Sequence, residues 1–167
     1  MLTASGIFLK IHYPTIKIKG GGMYKNILVP IDIDEDNLMN KAIPLVENIA
    51  KNEDPYVHFL YVLPKLPQSS YYRLVMNGDQ LDQGCLKTSA EKELKKIIER
   101  FDLPDDRMQT HICIGTPRDA ILQVADEVNA DLIVIGSHNP EDDSYHIGST
   151  AADITRYAKR SVMVVRK

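Results

Sequence analysis

The feature that most constrains the fold is a regular alternation between short apolar runs and longer segments whose apolar residues recur every three or four positions. Short runs rich in β-branched residues predict strands, and the longer spacing predicts helices. The predicted strands cover residues 26–31, 57–63, 108–114, 131–136 and 161–165. Strands that alternate with helices predict a parallel sheet covered on both faces. With right-handed crossovers, the sequence therefore predicts a doubly wound, Rossmann-like α/β fold.

The helices between these strands carry recognisable start signals. In the first, Pro44 predicts either a kink or a helix that begins only near Asn40. In the second, Thr88 and Glu91 have the spacing of a capping box. The third is expected to start at Thr116, which is followed by a proline at the first helical position and an acid in the first turn.

The length of 167 residues suits one globular domain, and its first part differs from the rest. Residues 1–22 combine lysines and a proline, and they lack the long apolar stretch and cleavage site of a signal peptide. Gly20, Gly21 and Gly22 then form a hinge-like run before Met23. We expect residues 1–22 to be a leader, either vector-derived or disordered, and residues 23–167 to form the domain.

Charge and cysteine content exclude several classes of function. Twenty basic and 23 acidic side chains give a net charge of −3, so there is no general attraction to nucleic acid or anionic lipid. No run approaches the roughly 18–20 apolar residues of a membrane span. Cys85 and Cys113 lack the spacing of a metal site, and two isolated thiols suit a reducing compartment. The sequence therefore predicts a cytoplasmic protein without a nucleic-acid or membrane partner.

In a doubly wound sheet, ligands bind beyond the carboxyl ends of the strands, so the residues after the first strand are candidates. Val29-Pro30-Ile31-Asp32 ends that strand. The carboxylate of Asp32 is suited to accept hydrogen bonds from ribose hydroxyls or from the amino group of a base. A turn or helix cap is an equally good interpretation, because three more acids follow directly.

The segment after the fourth strand has the composition of a phosphate site. Glycines at 136 and 148 allow backbone N–H groups to approach phosphate oxygens. Ser149 and Thr150 then begin a helix predicted over residues 149–159, whose start adds unpaired donors and hydroxyls. An ordinary loop and helix cap would have the same two glycines, so the pattern alone leaves both interpretations open.

Six pieces of the sequence match one known family in order: ILVPID, LYVLP, Gly115-Thr116-Pro117, IVIGSH, GST and SVMVVR. Across essentially all of residues 23–166 the chain resembles the universal stress proteins, small cytoplasmic α/β proteins many of which bind ATP. The resemblance implies a fold like that of the adenine nucleotide alpha hydrolases, with strand order 3-2-1-4-5. It also implies a homodimer through the last strand, from Val162 to Val165, with a tetramer as a further possibility.

The same resemblance assigns roles to individual positions. Pro30, Ile31 and Asp32 would meet adenine and ribose, and Val62 would flank the base. Ribose and phosphates would be held by Gly136, Gly148, Ser149 and Thr150. His138 belongs to a Ser-His pair that would touch phosphate or shape the loop.

The sequence departs from the ATP-binding pattern G-x2-G-x9-G-[ST] in one loop. Asn139 replaces the second glycine, and eight residues separate it from Gly148. Asparagine tolerates left-handed backbone angles, and a shortened loop of this kind resembles the F/G branch of the family, which retains nucleotide binding. Glu141, Asp142 and Asp143 place three acids beside the expected triphosphate; they point outward, hold Mg²⁺ or favour a less charged ligand.

The main hypothesis is a cytoplasmic stress-response protein that binds ATP, with or without Mg²⁺, as a regulatory ligand and works as a homodimer or higher oligomer. No catalytic or metal-ligating residue is assigned. A second hypothesis is slow ATP hydrolysis or self-phosphorylation at Ser149 or Thr150. A third is an interaction protein of the same family that binds no nucleotide.

Overall fold

The predicted strands are all present in the computed structural model, which describes residues 23–33, 36–63, 83–137 and 147–166. The predicted leader, residues 1–22, lies outside this description. The strands are β1 (Asn26–Ile31), β2 (Tyr56–Leu63), β3 (Met108–Ile114), β4 (Leu132–Ser137) and β5 (Ser161–Arg166). The helices are α1 (Asp36–Glu53), α2 (Gln83–Ile98), α3 (Pro117–Glu127) and α4 (Ser149–Tyr157), with a short 3₁₀ turn at Asp105–Arg107 before β3.

The prediction that Pro44 delays the first helix is wrong. Helix α1 begins at Asp36, well before Asn40, and continues through Pro44. A proline inside a helix removes one backbone donor. Here that position is exposed, and the face that includes Leu38 and Val46 is buried against the sheet. Tertiary packing of this apolar face therefore outweighs the local cost of the proline.

Two other helix boundaries differ from those that local signals predict. Thr88 lies in the second turn of α2, which begins at Gln83, so Thr88 and Glu91 do not form a capping box. Helix α4 ends at Tyr157 instead of residue 159, because Ala158 has an extended backbone with φ −66° and ψ 136°. The start of α3 agrees with its prediction, with Thr116 at the cap position and Pro117 as the first helical residue.

The five strands form one sheet in the order β3-β2-β1-β4-β5, with every neighbouring pair parallel. This is the order that the resemblance implied. Successive side chains of a strand point to opposite faces, and β1 shows both faces buried. Ile27 and Val29 pack with α1 and α2, while Leu28 packs with α3 and α4. Among the described residues, two helices lie on each face of the sheet, which makes the domain doubly wound.

Candidate functional site

The candidate site lies in a crevice between β1 and β4, where the strand order reverses. Pairing between these strands joins Ile27 to Leu132 and Leu28 to Ile133, whereas β1 pairs with β2 along its whole length. The pairing thus covers the amino halves of β1 and β4. A crevice at this position is where doubly wound sheets bind ligands.

Pro30 explains why the pairing of β1 with β4 ends early. The backbone N–H of Asp131 donates to the carbonyl of Asn26 at 2.8 Å, and that of Tyr56 donates to Lys25 at 2.8 Å. Even-numbered residues of β1 therefore direct their backbone groups toward β4, and odd-numbered ones toward β2. Pro30 is in the even-numbered set and has no N–H. It removes the donor that would continue the β1–β4 ladder.

The crevice holds a cavity of about 380 Å³, a volume within the usual range of small-molecule sites. Most of the described lining residues are apolar, and those with polar side chains are Asp32, Tyr61, Ser149 and Thr150. The lining residues are Val29, Pro30, Ile31, Asp32, Ile33, Leu38, Met39, Ala42, Leu60, Tyr61, Val62, Pro117, Ile121, Val134, Ile135, Gly136, Gly148, Ser149, Thr150 and Ala151.

Most of the residues that the sequence suggested for a site line this one cavity. They come from the ends of β1, β2 and β4 and from the start of α4: Pro30, Ile31, Asp32, Val62, Gly136, Gly148, Ser149 and Thr150. His138 and Asn139 lie outside the described residues, and so do the acids at positions 141–143. Residues more than 100 positions apart in the chain are therefore brought to one place by the parallel pairing of β1 with β4.

Gly136 has a packing role at the cavity wall. A Cβ added to this residue would lie 3.1 Å from Cδ1 and 3.4 Å from Cβ of Leu38. Leu38 is 5% exposed and belongs to α1, so the helix rests directly on the backbone of β4 at this point. The glycine permits this close approach, which is a structural reason for its presence besides any contact with a ligand.

The start of α4 presents backbone donors to the cavity. Gly148 holds the cap position, and its carbonyl accepts the first helical hydrogen bond from Ala152 at 2.9 Å. Its own N–H donates to Oγ of Ser137 at 2.9 Å. The N–H groups of Ser149, Thr150 and the next residue have no intrahelical acceptor by the geometry of a helix start. These groups, together with the helix dipole, favour an anion.

Sequence reasoning missed two kinds of site residue. Leu38 and Met39 of α1 line the cavity, but nothing in their local sequence shows that α1 packs over the end of β4. Ser137 is 7% exposed and holds Gly148. A polar residue that directly follows the buried run of β4 was the available signal for it, because a buried hydroxyl needs a hydrogen-bond partner.

Outside the cavity, the titratable side chains have structural explanations. His58, 5% exposed, lies with Nδ1 3.1 Å from Nε2 of His111 in β3. Burial, reinforced by the carboxylate of Glu127, raises the pKa of the half-buried Cys113 thiol, which makes it a poor nucleophile.

Among the described residues, no group of three or more histidine, cysteine or acidic side chains is arranged to hold a metal. Within the same part of the chain, no helix combines the length and the apolar character needed to cross a membrane.

Comparison with solved structures shows the same fold. A universal stress protein of Archaeoglobus fulgidus solved in complex with dAMP superposes with a TM-score of 0.57 at 22% identity, over 86% of this chain and 98% of that one. A universal stress protein solved in complex with cAMP gives a TM-score of 0.52 at 22% identity, over 85% and 96% of the two chains. Nucleotides are thus the ligands of two proteins with this architecture.

Comparison at the level of sequence is more specific. Universal stress protein G of Salmonella typhimurium is 35% identical over 144 residues, which make up 86% of this chain and all of that protein. This agrees with the resemblance to the F/G branch. The family model described as the universal stress protein family matches residues 23–166, which begin just after the glycine run and end one residue before the last. The chain belongs to the universal stress protein family.

Proposed function

We propose that this protein binds ATP in the cavity between β1 and β4 and uses it as a regulatory ligand in the cytoplasm. The observation that carries the proposal is the convergence of an apolar wall and a helix start on one cavity. An adenine ring is largely apolar and suits the wall, whereas phosphates suit the unpaired donors at the start of α4. The nucleotides bound by the two solved relatives support the same ligand class.

Individual residues have distinct roles in this proposal. Pro30, Ile31 and Val62 would contact the adenine, and the exposed carboxylate of Asp32 would accept hydrogen bonds from ribose hydroxyls. The phosphates would lie at Ser149 and Thr150, whose N–H and hydroxyl groups are donors. Mg²⁺ would arrive with the triphosphate, since this ion is commonly carried on nucleotide phosphates.

Isothermal titration calorimetry on nucleotide-free protein tests the proposal directly. We expect heat on titration with ATP and Mg²⁺, and an increase in thermal stability, because a ligand that binds only the folded state stabilises it. Gly148→Val should abolish this heat by placing bulk at the cavity wall, where Gly148 lies. Wild-type protein that gives neither heat nor stabilisation at millimolar ATP would contradict the proposal and favour an interaction protein that binds no nucleotide.

A homodimer through β5 is the second part of the proposal. β5 is an outer strand of the sheet, and Val162, Met163 and Val164 are only half-buried. An outer apolar strand tends to pair with another chain unless it is covered or charged. Sedimentation should therefore give a dimer for the wild type and a monomer for Val164→Lys. The matched control is Thr110→Lys on the other outer strand, which should leave the dimer intact.

A further inference from the structure

The hydrogen bond between Ser137 and Gly148 joins the two elements that form the phosphate side of the cavity. Ser137 is the last residue of β4, and Gly148 is the cap residue of α4, eleven positions later in the chain. The Gly148 N–H donates to the Ser137 Oγ at 2.9 Å, and the serine is 7% exposed. This partly buried bond between residues so far apart fixes the helix start relative to the end of the strand.

This bond also determines which donors remain for a ligand. Because the Gly148 N–H is used by Ser137, it is not available to a phosphate oxygen. The donors left for a ligand are therefore those of the first helical residues, Ser149 and Thr150, which line the cavity and have no intrahelical acceptor. Gly148 lines the cavity and Ser137 is not among its lining residues, so any effect of the serine on a ligand must act through Gly148.

We infer that Ser137 is a positioning residue that sets the start of α4 for the anionic part of the nucleotide. This inference rests on the proposed function and extends it to a residue that does not line the cavity. It predicts different effects on nucleotides, which carry phosphate, and on the nucleoside, which does not. The hydroxyl should matter for ligands that carry phosphate and should be unimportant for adenosine, which meets the β1–β2 side of the cavity.

The experiment measures the affinities of ATP, AMP and adenosine for the full chain by calorimetry. Ser137→Ala should weaken ATP and AMP about tenfold, the scale expected for one hydrogen bond, and change adenosine less than about twofold. Ser137→Thr retains a hydroxyl and should keep the affinity for ATP. The matched control is Ser161→Ala, which removes the exposed hydroxyl at the start of β5, paired with the opposite end of β4, and should change none of the three.

A second variant and a second readout keep the test decisive. Ser137→Cys retains the size of the side chain but offers a weak acceptor, and it should shift the affinities in the same direction if Ser137→Ala does not fold. Amide exchange at Gly148 should be faster in either variant. If the wild type binds ATP, unchanged ATP affinity in Ser137→Ala or Ser137→Cys overturns this inference, and so does equal weakening of ATP and adenosine in those variants. Absence of ATP binding by the wild type overturns the proposed function itself.

Discussion

At the amino end of the sheet, polar side chains bond mainly to one another and to nearby backbone, whereas at the carboxyl end they surround a cavity. Asn26, His58, His111 and Asp131 make up the first group and join β1, β2, β3 and the residue before β4. Asp32, Ser149 and Thr150 belong to the second and line the cavity. The same sheet therefore uses polar groups mainly for cohesion at one end, whereas the other end combines one supporting bond, from the Gly148 N–H to Ser137, with polar residues that line a cavity.

The amino-end network has a consistent assignment of protons. His58 Nε2 lies 3.4 Å from Asn26 Oδ1, which can only accept, so this nitrogen carries the proton. His58 Nδ1 then accepts from Nε2 of His111 at 3.1 Å. Asp131 Oδ2 accepts from the backbone N–H of Lys25 at 2.7 Å and of Asn26 at 3.0 Å. His58 is neutral in this arrangement, and burial, which lowers the pKa of both rings, favours the neutral form of His111 as well.

The largest expected effect comes from filling the wall at the carboxyl end. Gly136→Val would place side-chain atoms within about 3 Å of Leu38, and overpacking of this kind costs on the order of 1–3 kcal/mol, here at the upper end. We expect a loss of about 3 kcal/mol in the free energy of unfolding, together with loss of ATP binding, because α1 must move away from β4. Urea unfolding and calorimetry measure the two quantities.

Gly115→Val is the matched control for this substitution. Gly115 follows β3 at the same end of the sheet, and among the described atoms a Cβ there would meet none within 4 Å. Its unfolding free energy should change by less than about 1 kcal/mol. Equal destabilisation by the two variants would contradict the idea that contact with Leu38 is what requires a glycine at position 136.

The second prediction tests whether the amino end of the sheet contributes to stability without affecting the cavity at the carboxyl end. His58→Phe retains an apolar ring but leaves Asn26 Oδ1 and His111 Nε2 without this partner, which costs about 2 kcal/mol of unfolding free energy. ATP affinity should stay within twofold of the wild type, because the network lies away from the cavity. Urea unfolding and calorimetry again give both numbers.

The double variant with His58→Phe and His111→Phe sharpens this test. Replacing both partners of this partly buried hydrogen bond removes an unpaired group, so the double variant should be less destabilised than the sum of the two single variants. Strict additivity would show that the bond between the two rings contributes little. A tenfold fall in ATP affinity would show that the amino end is coupled to the cavity.

The third prediction concerns Pro30 in β1, the strand that contributes residues to both the amino-end network and the cavity. Pro30→Ala supplies an N–H directed toward β4, so the β1–β4 ladder can extend and the crevice can narrow. The gain of about 1 kcal/mol from one hydrogen bond opposes a similar loss from the more flexible unfolded chain. We therefore expect little change in stability but several-fold weaker ATP binding. A protected amide at position 30 in hydrogen exchange would identify the new bond, and unaltered affinity would contradict the role given to Pro30.

Sequence reasoning predicted the elements of this fold more completely than the site. The strands are short and mostly apolar, even β3 with its Gln109, Thr110 and His111, so local composition locates all five, and Pro117 marks the start of α3. The strand order came from resemblance, since composition does not determine which strands are neighbours. Helix starts at Asp36 and Gln83 were missed. In α1, packing of the apolar face against the sheet outweighs the local proline signal.

The sequence predicted the glycines and the acid of the candidate site, but it did not predict the residues that contact those glycines. Gly136, Gly148 and Asp32 stand out in the sequence because their types suit a ligand. Leu38 and Ser137 act through packing and a hydrogen bond to those glycines, and both contacts exist only once α1 and α4 are placed on the sheet. Such supporting contacts depend on the tertiary structure, so the sequence shows them least.

The smallest expected effect is the dependence of stability on pH at the amino end. Burial lowers the pKa of His58 below its usual 6.5, and the neighbouring His111 lowers it further. Burial also lowers the pKa of His111, partly offset by the carboxylate of Glu127. Below pH 6.5 the unfolded chain therefore binds more protons than the folded one, and the free energy of unfolding should fall as the pH falls.

This contribution is complete above pH 6.5 and is lost progressively below it, the direction expected when both folded-state pKa values are lowered. Urea unfolding of nucleotide-free protein between pH 7.5 and 5 measures it, and the double variant should have a flatter profile than the wild type. The same profile in both proteins would place the titrating groups elsewhere. The cavity lies at the opposite end of the sheet from the histidines. Gly136→Val should therefore lower the free energy of unfolding equally at every pH and leave its slope with pH unchanged. A changed slope would show that the two ends of the sheet are coupled.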